Sequence, residues 1–370
     1  MLVQRFKPPR QKTESNSEAP TSNITVATRI RPISNGESLS GQVVAVFPRA
    51  DSSGVVDLHE LRRVALFESD FYVALRKQHL FRELTTIHQS SSFQPGRVFS
   101  ADDRTEKIYE DVVHSLIPWA WDGNVGTLFA YGQTGSGKTF TIRGLEHLVA
   151  KSLFDGTLEG ERNIYLAMFE LAGNSAYDLL NSRASFSILE DHLGTTQLVG
   201  IQEYSIRSTA ELLALSQKAN ELRQSAPTIK NDGSSRSHAI CRIRIEEPSH
   251  EPAEGGILYL VDLAGSEAAR DIFSHSTERL KETREINMSL SVLKDCIRGM
   301  ARIDMEKRKF SKKAYIPFRQ STLTRVLKHL FDPSESRKCR TTVVACINPS
   351  FLDTGASKNT LRYAEMLCKS

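Results

Sequence analysis

Runs of apolar and β-branched residues mark the predicted β-strands of the chain. The first run is NITVATRIRP, and ordered structure is expected to begin there, at Asn23. Val125–Tyr131 (VGTLFAY) is mostly apolar and predicts a buried strand that leads directly into a glycine-rich loop. Later runs of the same character predict strands at residues 163–171, 238–247, 255–265 and 340–350.

Helical spacing, with apolar residues three or four positions apart, recurs between these strands. It predicts a helix over residues 105–121, a long amphipathic helix over residues 278–303 and a shorter helix over residues 319–331. Strands and helices therefore alternate without internal repeats, and the predicted fold class is α/β with helices on both faces of the sheet. The apolar face of the long helix consists of Leu280, Ile286, Leu290, Leu293, Ile297 and Met300.

Two segments lack a clear pattern. Residues 1–22 are polar, contain proline and are expected to form a disordered leader, so that one domain would span residues 23–370. Between Asp51 and Gln94 the pattern is confused, and the letters DSSG and HQSSS predict loops there.

Composition narrows the class of protein. The chain has 370 residues, 39% of them hydrophobic and 25% charged, which is ordinary for a globular protein able to bury a large core. Its five cysteines are scattered and predict reduced thiols in a reducing compartment, the cytoplasm or nucleus. No apolar run is long enough for a membrane helix. A net charge of +4 is too mild to indicate nucleic acid, so neither a membrane nor a nucleic-acid partner is expected.

The letters GQTGSGKT fit the phosphate-loop pattern G-x-x-x-x-G-K-[ST] in full. Glycines allow backbone N–H groups to converge on phosphates, and the N-terminus of the following helix adds its dipole. Lys138 is expected to face the β- and γ-phosphate oxygens, and the Thr139 hydroxyl to face Mg²⁺. The predicted nucleotide-binding residues of this loop are Gly132, Gln133, Thr134, Gly135, Ser136, Gly137, Lys138 and Thr139.

Two further segments suit the same chemistry. In LYLVDLAGSE, Asp262 ends an apolar strand where it can accept a hydrogen bond from a metal-bound water, and Gly265 can offer its N–H to a γ-phosphate. Glu267 follows two residues later. In NDGSSRSHAI, Ser235 can complete a Mg²⁺ shell and Arg236 can pair with a carboxylate. Taken alone, that second segment is equally typical of an ordinary serine-rich turn.

In combination, these segments resemble the P-loop, switch I and switch II of kinesin motor domains. RIRP (residues 29–32), IPFRQSTLTRVLKHLF (residues 316–331) and NTLRYAEM (residues 359–366) resemble three other motifs of that family. The resemblance covers residues 23–370. It implies the kinesin motor fold, with a central, mostly parallel mixed β-sheet, and an ATPase that uses ATP and Mg²⁺.

The resemblance also implies roles for individual residues. Thr139 and Ser235 would ligate Mg²⁺, with Asp262 acting through water. A salt bridge from Arg236 to Glu267 would close the site and order the attacking water. The remaining implied positions are Ser234 near the γ-phosphate, Arg29 and Pro32 beside the adenine, and Phe140, which either lies near the base or only packs.

Tubulin is the partner that the resemblance implies. The long helix would lie on the microtubule face, and a basic loop follows it. Tubulin is strongly acidic, so a concentrated positive patch would speed encounter and weaken with salt. The alternative is a solvated charged surface. The predicted microtubule-binding residues are Lys281, Arg284, Lys294, Arg298, Lys307, Arg308, Lys309, Lys312 and Lys313.

Two further segments of the sequence bear on which class of kinesins the chain resembles. EINMSLSVLKDCIRGM and SILEDHLGTTQLVGIQEYSI resemble the kinesin-13 class, which depolymerises microtubule ends. Its Lys-Val-Asp tip is matched nearest by Val55-Val56-Asp57, without the lysine, and residues 61–92 are longer than expected. Switch II also has Ser266 where that class usually has Asn.

Two functions other than that of a motor are compatible with a phosphate loop, a GTPase switch and a microtubule regulator or scaffold. A GTPase is disfavoured because no guanine-binding N/T-K-x-D motif follows the last strands. A weak ATPase that regulates or scaffolds microtubules is the alternative function. The expected location is the cytoplasmic cytoskeleton, on microtubules and including the mitotic spindle, and any oligomerisation is expected to use segments outside this chain.

Overall fold

The computed structural model describes residues 24–65, 84–192, 194–225, 236–248, 255–266, 277–306, 315–331 and 337–369. The predicted leader, residues 1–22, lies outside these ranges. Within them, the strands are β1 (Ile24–Ile30), β2 (Val46–Pro48), β3 (Val56–Ala65), β4 (Leu84–Phe93), β5 (Arg97–Phe99), β6 (Val125–Tyr131), β7 (Asn163–Ala172), β8 (Ser175–Asp178), β9 (Ala184–Ser185), β10 (Ser187–Glu190), β11 (Thr196–Val199), β12 (Tyr204–Ile206), β13 (His238–Glu246), β14 (Gly256–Asp262) and β15 (Cys339–Ile347).

The helices of the described ranges follow in the same order along the chain. Four of them, the fourth, fifth, sixth and eighth, have fifteen or more residues. The α-helices are α1 (Asn35–Leu39), α2 (Thr105–Ile108), α3 (Leu116–Trp121), α4 (Lys138–Leu153), α5 (Thr209–Ser225), α6 (Thr277–Glu306), α7 (Thr322–Val326) and α8 (Thr354–Cys368).

One large mixed sheet organises the described residues. Its strand order is β5-β1-β15-β6-β14-β13-β7-β8-β9, with β12 also paired to β7. The strands from β5 to β14 run parallel, and all pairs from β14 onwards are antiparallel. The predicted α/β class is confirmed. The antiparallel half is larger than the predicted alternation suggests, because β13 pairs antiparallel with both β14 and β7, and a short turn at Gly173 adds β8 to β7.

Both faces of the sheet are covered, which explains why its central strands are apolar throughout. On one face, Val125 and Phe129 of β6 pack in a core cluster that includes residues of α6, α7 and α8. On the other, Leu128 and Ala130 of the same strand pack with residues of α2 to α5. Successive side chains of a strand point to opposite faces, so one strand serves both cores.

Two predicted helices differ from a regular α-helix. Residues 105–121 form α2, a π-helical turn at Tyr109–Val113 and then α3, so the helix is present but interrupted. Residues 319–331 contain the short α7 between the 3₁₀ turns Phe318–Gln320 and Lys328–Leu330. The long predicted helix is present as α6.

The prediction of loops between Asp51 and Gln94 is wrong for HQSSS. Those letters belong to β4, which pairs antiparallel with β3 over ten positions, from Val56↔Phe93 to Ala65↔Leu84. The serines resemble turn residues in sequence, but here their hydroxyls bond across the ladder. Ser90 Oγ lies 2.8 Å from His59 Nδ1, and Ser92 Oγ donates to Asp57 at 2.7 Å. Cross-strand hydrogen bonds of this kind stabilise a polar hairpin.

Candidate active site

The phosphate loop connects β6 to α4 at the carboxyl edge of the parallel strands, where ligands bind in open α/β sheets. Gly132 has φ 154°, and a Cβ there would lie 2.4 Å from the carbonyl oxygen of Cys346. Gly137 has φ 94° immediately before α4. Only glycine fits the backbone at these two positions without strain, so the predicted loop is built as its letters require.

Hydrogen bonds within the loop fix its shape. Ser136 Oγ and Lys138 Nζ both donate to the carbonyl oxygen of Gln133, at 2.7 and 2.9 Å. Lys138 is buried although it is charged. Its ammonium group therefore lies inside the loop, where it can reach phosphate oxygens instead of bulk water.

The predicted metal residues Thr139 and Asp262 lie together. Thr139 Oγ1 donates to Asp262 Oδ2 at 2.8 Å. Within the described residues, three buried side-chain oxygens at this edge lack a hydrogen-bond partner: Gln133 Oε1, Ser237 Oγ and Asp262 Oδ1. A hydroxyl and a carboxylate with unsatisfied oxygens suit a hard cation such as Mg²⁺ and its water shell. Ser235, the third predicted ligand, lies outside the described residues.

Arg223, at the end of α5, is a site residue that the sequence did not reveal. Its Nη1 donates to Asp262 Oδ2 at 2.9 Å, and its Nη2 donates to the Ser237 carbonyl at 2.7 Å. Both charged side chains are nearly inaccessible, 3% and 5% exposed. The guanidinium group orients the carboxylate and offsets its charge. Nothing in the letters ELRQS distinguishes this arginine from a surface residue.

The predicted switch residues are described in part. Gly265 is buried, and the next residue attaches the loop to the phosphate loop, since Ser266 N–H donates to the Gly132 carbonyl at 3.1 Å. Arg236 is half-buried, next to the start of β13. Ser234 and Glu267 lie outside the described residues, so the Arg236–Glu267 salt bridge stays a prediction.

Phe140 presents an exposed ring beside the phosphate loop, and the buried Arg29 lies under it. The Arg29 guanidinium lies 5.2 Å from the centre of the Phe140 ring and donates to Thr141 Oγ1 at 3.1 Å. Burial lowers the pKa of Arg29. Phe140 is 69% exposed, which disfavours a purely packing role, and Pro32 is also exposed. An exposed ring held by a buried cation offers a flat face for a planar base.

Arg31 belongs to the quoted RIRP motif, but the sequence assigned it no role. Its Nε donates to the Gly135 carbonyl at 2.6 Å, and its other nitrogens bind the Glu37 carboxylate. The hydrogen bonding between Arg31 and the Glu37 carboxylate is the main reason why the pKa of Glu37 falls to about 2. Arg31 therefore ties the segment after β1 to the phosphate loop.

The four predicted microtubule-binding residues on α6 differ in exposure, and their contact with tubulin stays a prediction. Lys281, Arg284 and Arg298 are exposed. Lys294 is half-buried, with its Nζ 5.3 Å from the ring centre of Tyr131 and 4.9 Å from that of Tyr363. The predicted basic residues Lys307, Arg308, Lys309, Lys312 and Lys313 lie outside the described residues.

Three further basic residues lie on α7 and its flanking turns, which pack against α6. They hold the β10–β11 hairpin: Arg319 binds the Glu190 carboxylate, with an Nη2–Oε2 distance of 2.8 Å. Arg325 donates to the Ile188 carbonyl and Lys328 to the Gly194 carbonyl. These side chains thus attach the β10–β11 hairpin to α7 and its flanking turns.

Val55-Val56-Asp57 does not form a protruding tip. Val55 is 7% exposed and Val56 is fully buried. Asp57 pairs with Arg49 at 2.5 Å, at the base of the β3–β4 hairpin. The prediction that this tripeptide matches the kinesin-13 tip is therefore wrong in position. Residues 66–83, which connect β3 to β4 in the chain, lie outside the described residues.

Strand order, a phosphate loop after a parallel strand, and a buried aspartate at the end of the neighbouring strand define a P-loop nucleotide-binding protein. No helix in the described part of the chain has the length and apolar character needed to cross a membrane.

The chain matches the kinesin motor domain family over residues 29–369 and belongs to the kinesin family. It is 34% identical over 350 residues to Diatom spindle kinesin-1 of Cylindrotheca fusiformis, covering 94% of this chain and 50% of that protein. It is 30% identical over 351 residues to Kinesin-like protein KIN-13B of Arabidopsis thaliana, covering 92% and 46%. For mouse Kinesin-like protein KIF24 the identity is 32% over 366 residues, covering 96% and 24%. The chain spans half or less of these relatives.

Proposed function

We propose that the chain is an ATPase whose turnover is stimulated by microtubules and whose nucleotide state controls its grip on them. The observation that supports this best is the position of the loop after β14. Ser266 N–H donates to Gly132 in the phosphate loop, and the long helix α6, with its exposed cations, follows in the chain. A change at the phosphates can therefore reach the basic face through one short segment.

The described residues suit the binding of Mg²⁺-ATP. Phe140 and Arg29 would hold the adenine, and the loop N–H groups with Lys138 would hold the phosphates. Thr139 and Asp262 would hold Mg²⁺, which neutralises charge on the β- and γ-phosphate oxygens. Arg223 would keep the Asp262 carboxylate oriented towards it.

Hydrolysis requires a positioned water on the γ-phosphate. We assign that step to Arg236 and Glu267, whose salt bridge would close the site, with the Gly265 N–H and Ser234 on the γ-phosphate. Preorganised donors of this kind account for most of the rate in phosphoryl transfer. The basic face would meet the acidic surface of tubulin, an interaction that weakens with salt.

The decisive measurement is the rate of ATP hydrolysis at increasing concentrations of polymerised tubulin. Stimulation in wild type and its loss in Glu267→Ala, with ATP binding retained in that variant, support the proposal. A wild-type rate that tubulin leaves unchanged contradicts a motor and favours the alternative, a microtubule regulator or scaffold with weak ATPase. Retained turnover in Glu267→Ala would contradict the assignment of Glu267.

The β3–β4 hairpin favours a more specific activity, the shortening of microtubule ends. Its strands are ten residues each, about 33 Å of extended chain. It is attached to the body at its base through the Glu60–Lys358 pair, with Nζ 2.5 Å from Oε1. Similarity to Kinesin-like protein KIN-13B agrees with this subclass. An anchored arm of this length can insert against a curved tubulin end.

A hairpin deletion tests that activity. Leu61 pairs with His88, so residues 62–87 can be replaced by Asn-Gly, which favours a tight hairpin turn. Stabilised fluorescent microtubules are then observed with ATP. Shrinkage from the ends by wild type but not by the deletion supports end shortening. Gliding, or static decoration, by wild type would assign a walking motor or a scaffold instead. We also propose that the protein locates to cytoplasmic microtubules, including the spindle.

A further inference from the structure

His238 joins three parts of the molecule through its ring. It begins β13, is 3% exposed and lies two positions after Arg236. Ala264 N–H donates to its Nδ1 at 3.1 Å, and its Nε2 lies 2.8 Å from Ser289 Oγ on α6. Because Nδ1 accepts a hydrogen bond, the ring proton of the neutral imidazole is on Nε2, which donates to Ser289.

The direction of these hydrogen bonds is fixed by the surroundings. Burial, followed by the charges of Arg223 and Lys138, lowers the pKa of His238 to about 3, so the ring is neutral at physiological pH. Ser289 Oγ in turn donates to the Ile286 carbonyl at 2.7 Å. The result is a directed series of bonds from the backbone of the 263–266 loop to the backbone of α6.

That loop has few other described attachments. Leu263 N–H donates to Ala130 at 3.3 Å, and Ser266 N–H donates to Gly132 at 3.1 Å. Gly265, assigned to the γ-phosphate, lies between Ala264 and Ser266. A displacement of Gly265 must therefore shift Ala264, whose N–H is held by the histidine.

We propose that His238 and Ser289 are positioning residues that transmit movement of the 263–266 loop to the track-facing helix α6. The pair would set how strongly microtubules and nucleotide affect each other, while the groups that contact ATP set the basal chemistry. The inference extends the proposed function, because α6 is taken there as the microtubule-binding helix. Coupling between two sites of this kind requires a packed, hydrogen-bonded element that can adopt two discrete arrangements.

Hydrogen exchange tests the connection without microtubules. Exchange of peptides covering residues 284–298 is compared with ADP and with a non-hydrolysable ATP analogue. In wild type, exchange is expected to differ between the two nucleotides, and Ser289→Ala should abolish that difference. Ser289→Thr, which keeps a hydroxyl, should restore it. Ser291→Ala, an exposed serine on the same helix, is the matched control and should behave as wild type.

Turnover gives the second readout. Ser289→Ala is expected to lower the microtubule-stimulated rate about tenfold, the effect of one lost hydrogen bond, with a much smaller change in the basal rate. His238→Asn keeps an acceptor near Ala264 but cannot reach Ser289, so it should lose the nucleotide-dependent difference in exchange as Ser289→Ala does.

The outcomes separate this inference from the proposed function. If wild type shows no microtubule stimulation but Ser289→Ala still abolishes the exchange difference, the motor proposal fails and the connection stands. If Ser289→Ala keeps both the exchange difference and the stimulation, the connection is overturned. An equal fall in basal and stimulated rates that Ser289→Thr does not rescue would show a purely structural role and would also overturn it.

Discussion

Arg223 and Asp262 form a buried ion pair, with Nη1 2.9 Å from Oδ2, where α5 ends and β14 ends. The same carboxylate oxygen accepts a hydrogen bond from Thr139 of the phosphate loop. The Asp262 Oδ2 atom therefore connects the phosphate loop, through Thr139, to the end of α5, through Arg223. An ion pair so deeply buried depends on both partners, because either charge alone would be desolvated without compensation.

Removing the arginine should destabilise the protein strongly. Arg223→Ala leaves the Asp262 carboxylate buried and uncompensated, and we expect the free energy of unfolding to fall by about 3 kcal/mol. Urea titration measures this. Asp262→Asn in the same background should restore part of the loss, because it removes the charge that the arginine balanced. Strictly additive effects of the two substitutions would contradict an energetic coupling between them.

Phe140 should contribute to nucleotide affinity. Its ring is exposed next to the phosphate loop, and stacking of a base on an aromatic ring is worth about 1–3 kcal/mol. Phe140→Ala should therefore raise the Kd for ATP about tenfold, measured by titration with a fluorescent analogue. Phe140→Tyr should bind as wild type. Leu352→Ala, which removes an equally exposed apolar side chain elsewhere, should leave the Kd unchanged. An unchanged Kd in Phe140→Ala would assign the ring to another role.

Lys294 should contribute more to the stability of the fold than to microtubule affinity. Its ammonium group lies over Tyr131 and Tyr363, a contact worth about 1 kcal/mol. Lys294→Met should lower the free energy of unfolding by about that amount and change microtubule affinity little. Arg284→Met, at an exposed position on the same helix, should do the opposite and reduce the salt dependence of co-sedimentation. A larger loss of affinity in Lys294→Met would place that residue back on the track face.

The sequence predicts most of the sheet and the whole phosphate loop because both are local patterns. A buried strand followed by GQTGSGKT needs no distant partner to be recognised. Arg223 could not be found in this way, since its role depends on Asp262, which is 39 positions away in sequence. Arg31 lies in the quoted RIRP motif, but its contact with Gly135, 104 positions away, could not be predicted for the same reason.

The structure differs from the predicted orientation of Lys294 and from the predicted loop at HQSSS for different reasons. The charge of Lys294 predicts an outward position, yet the residue follows Leu290 by four positions and Ile286 by eight, which puts it beside the apolar face. The helical spacing of the sequence therefore already predicts that Lys294 lies beside the apolar residues of α6. The serines of β4 read as turn residues, and only their cross-strand partners, such as Asp57, identify a strand. Glu267 and Ser234 stay predictions.

Glu146 should make stability fall as pH rises. It faces the space between α4 and α5, and burial raises its pKa from 4.5 to about 7, against a hydrogen bond from Ser216 and the charge of Arg143. The folded state therefore favours the protonated acid. Its contribution is complete below about pH 4.5 and is lost as pH rises to about 7.

Glu146→Gln, which cannot ionise, isolates this effect. The variant should gain stability relative to wild type between about pH 4.5 and 7, by up to about 3 kcal/mol, and the gain should level off above that range. Urea unfolding across pH measures it, with Glu221→Gln on the same cavity as the control for loss of one carboxylate. A gain that is the same at every pH would show that Glu146 does not titrate in this range.

Introducing a lysine at Val55 should not make the protein shorten microtubule ends faster. The kinesin-13 resemblance suggests Val55→Lys as the repair of a missing lysine, but Val55 lies 7% exposed at the base of the β3–β4 hairpin. A buried ammonium without a partner should cost about 2 kcal/mol or more of the free energy of unfolding. Leu61→Lys, on the same strand but 49% exposed, should be close to neutral. Urea unfolding and the shortening of fluorescent microtubules are measured on both variants. A stable Val55→Lys protein that shortens ends faster than wild type would show that this tripeptide reaches tubulin after all.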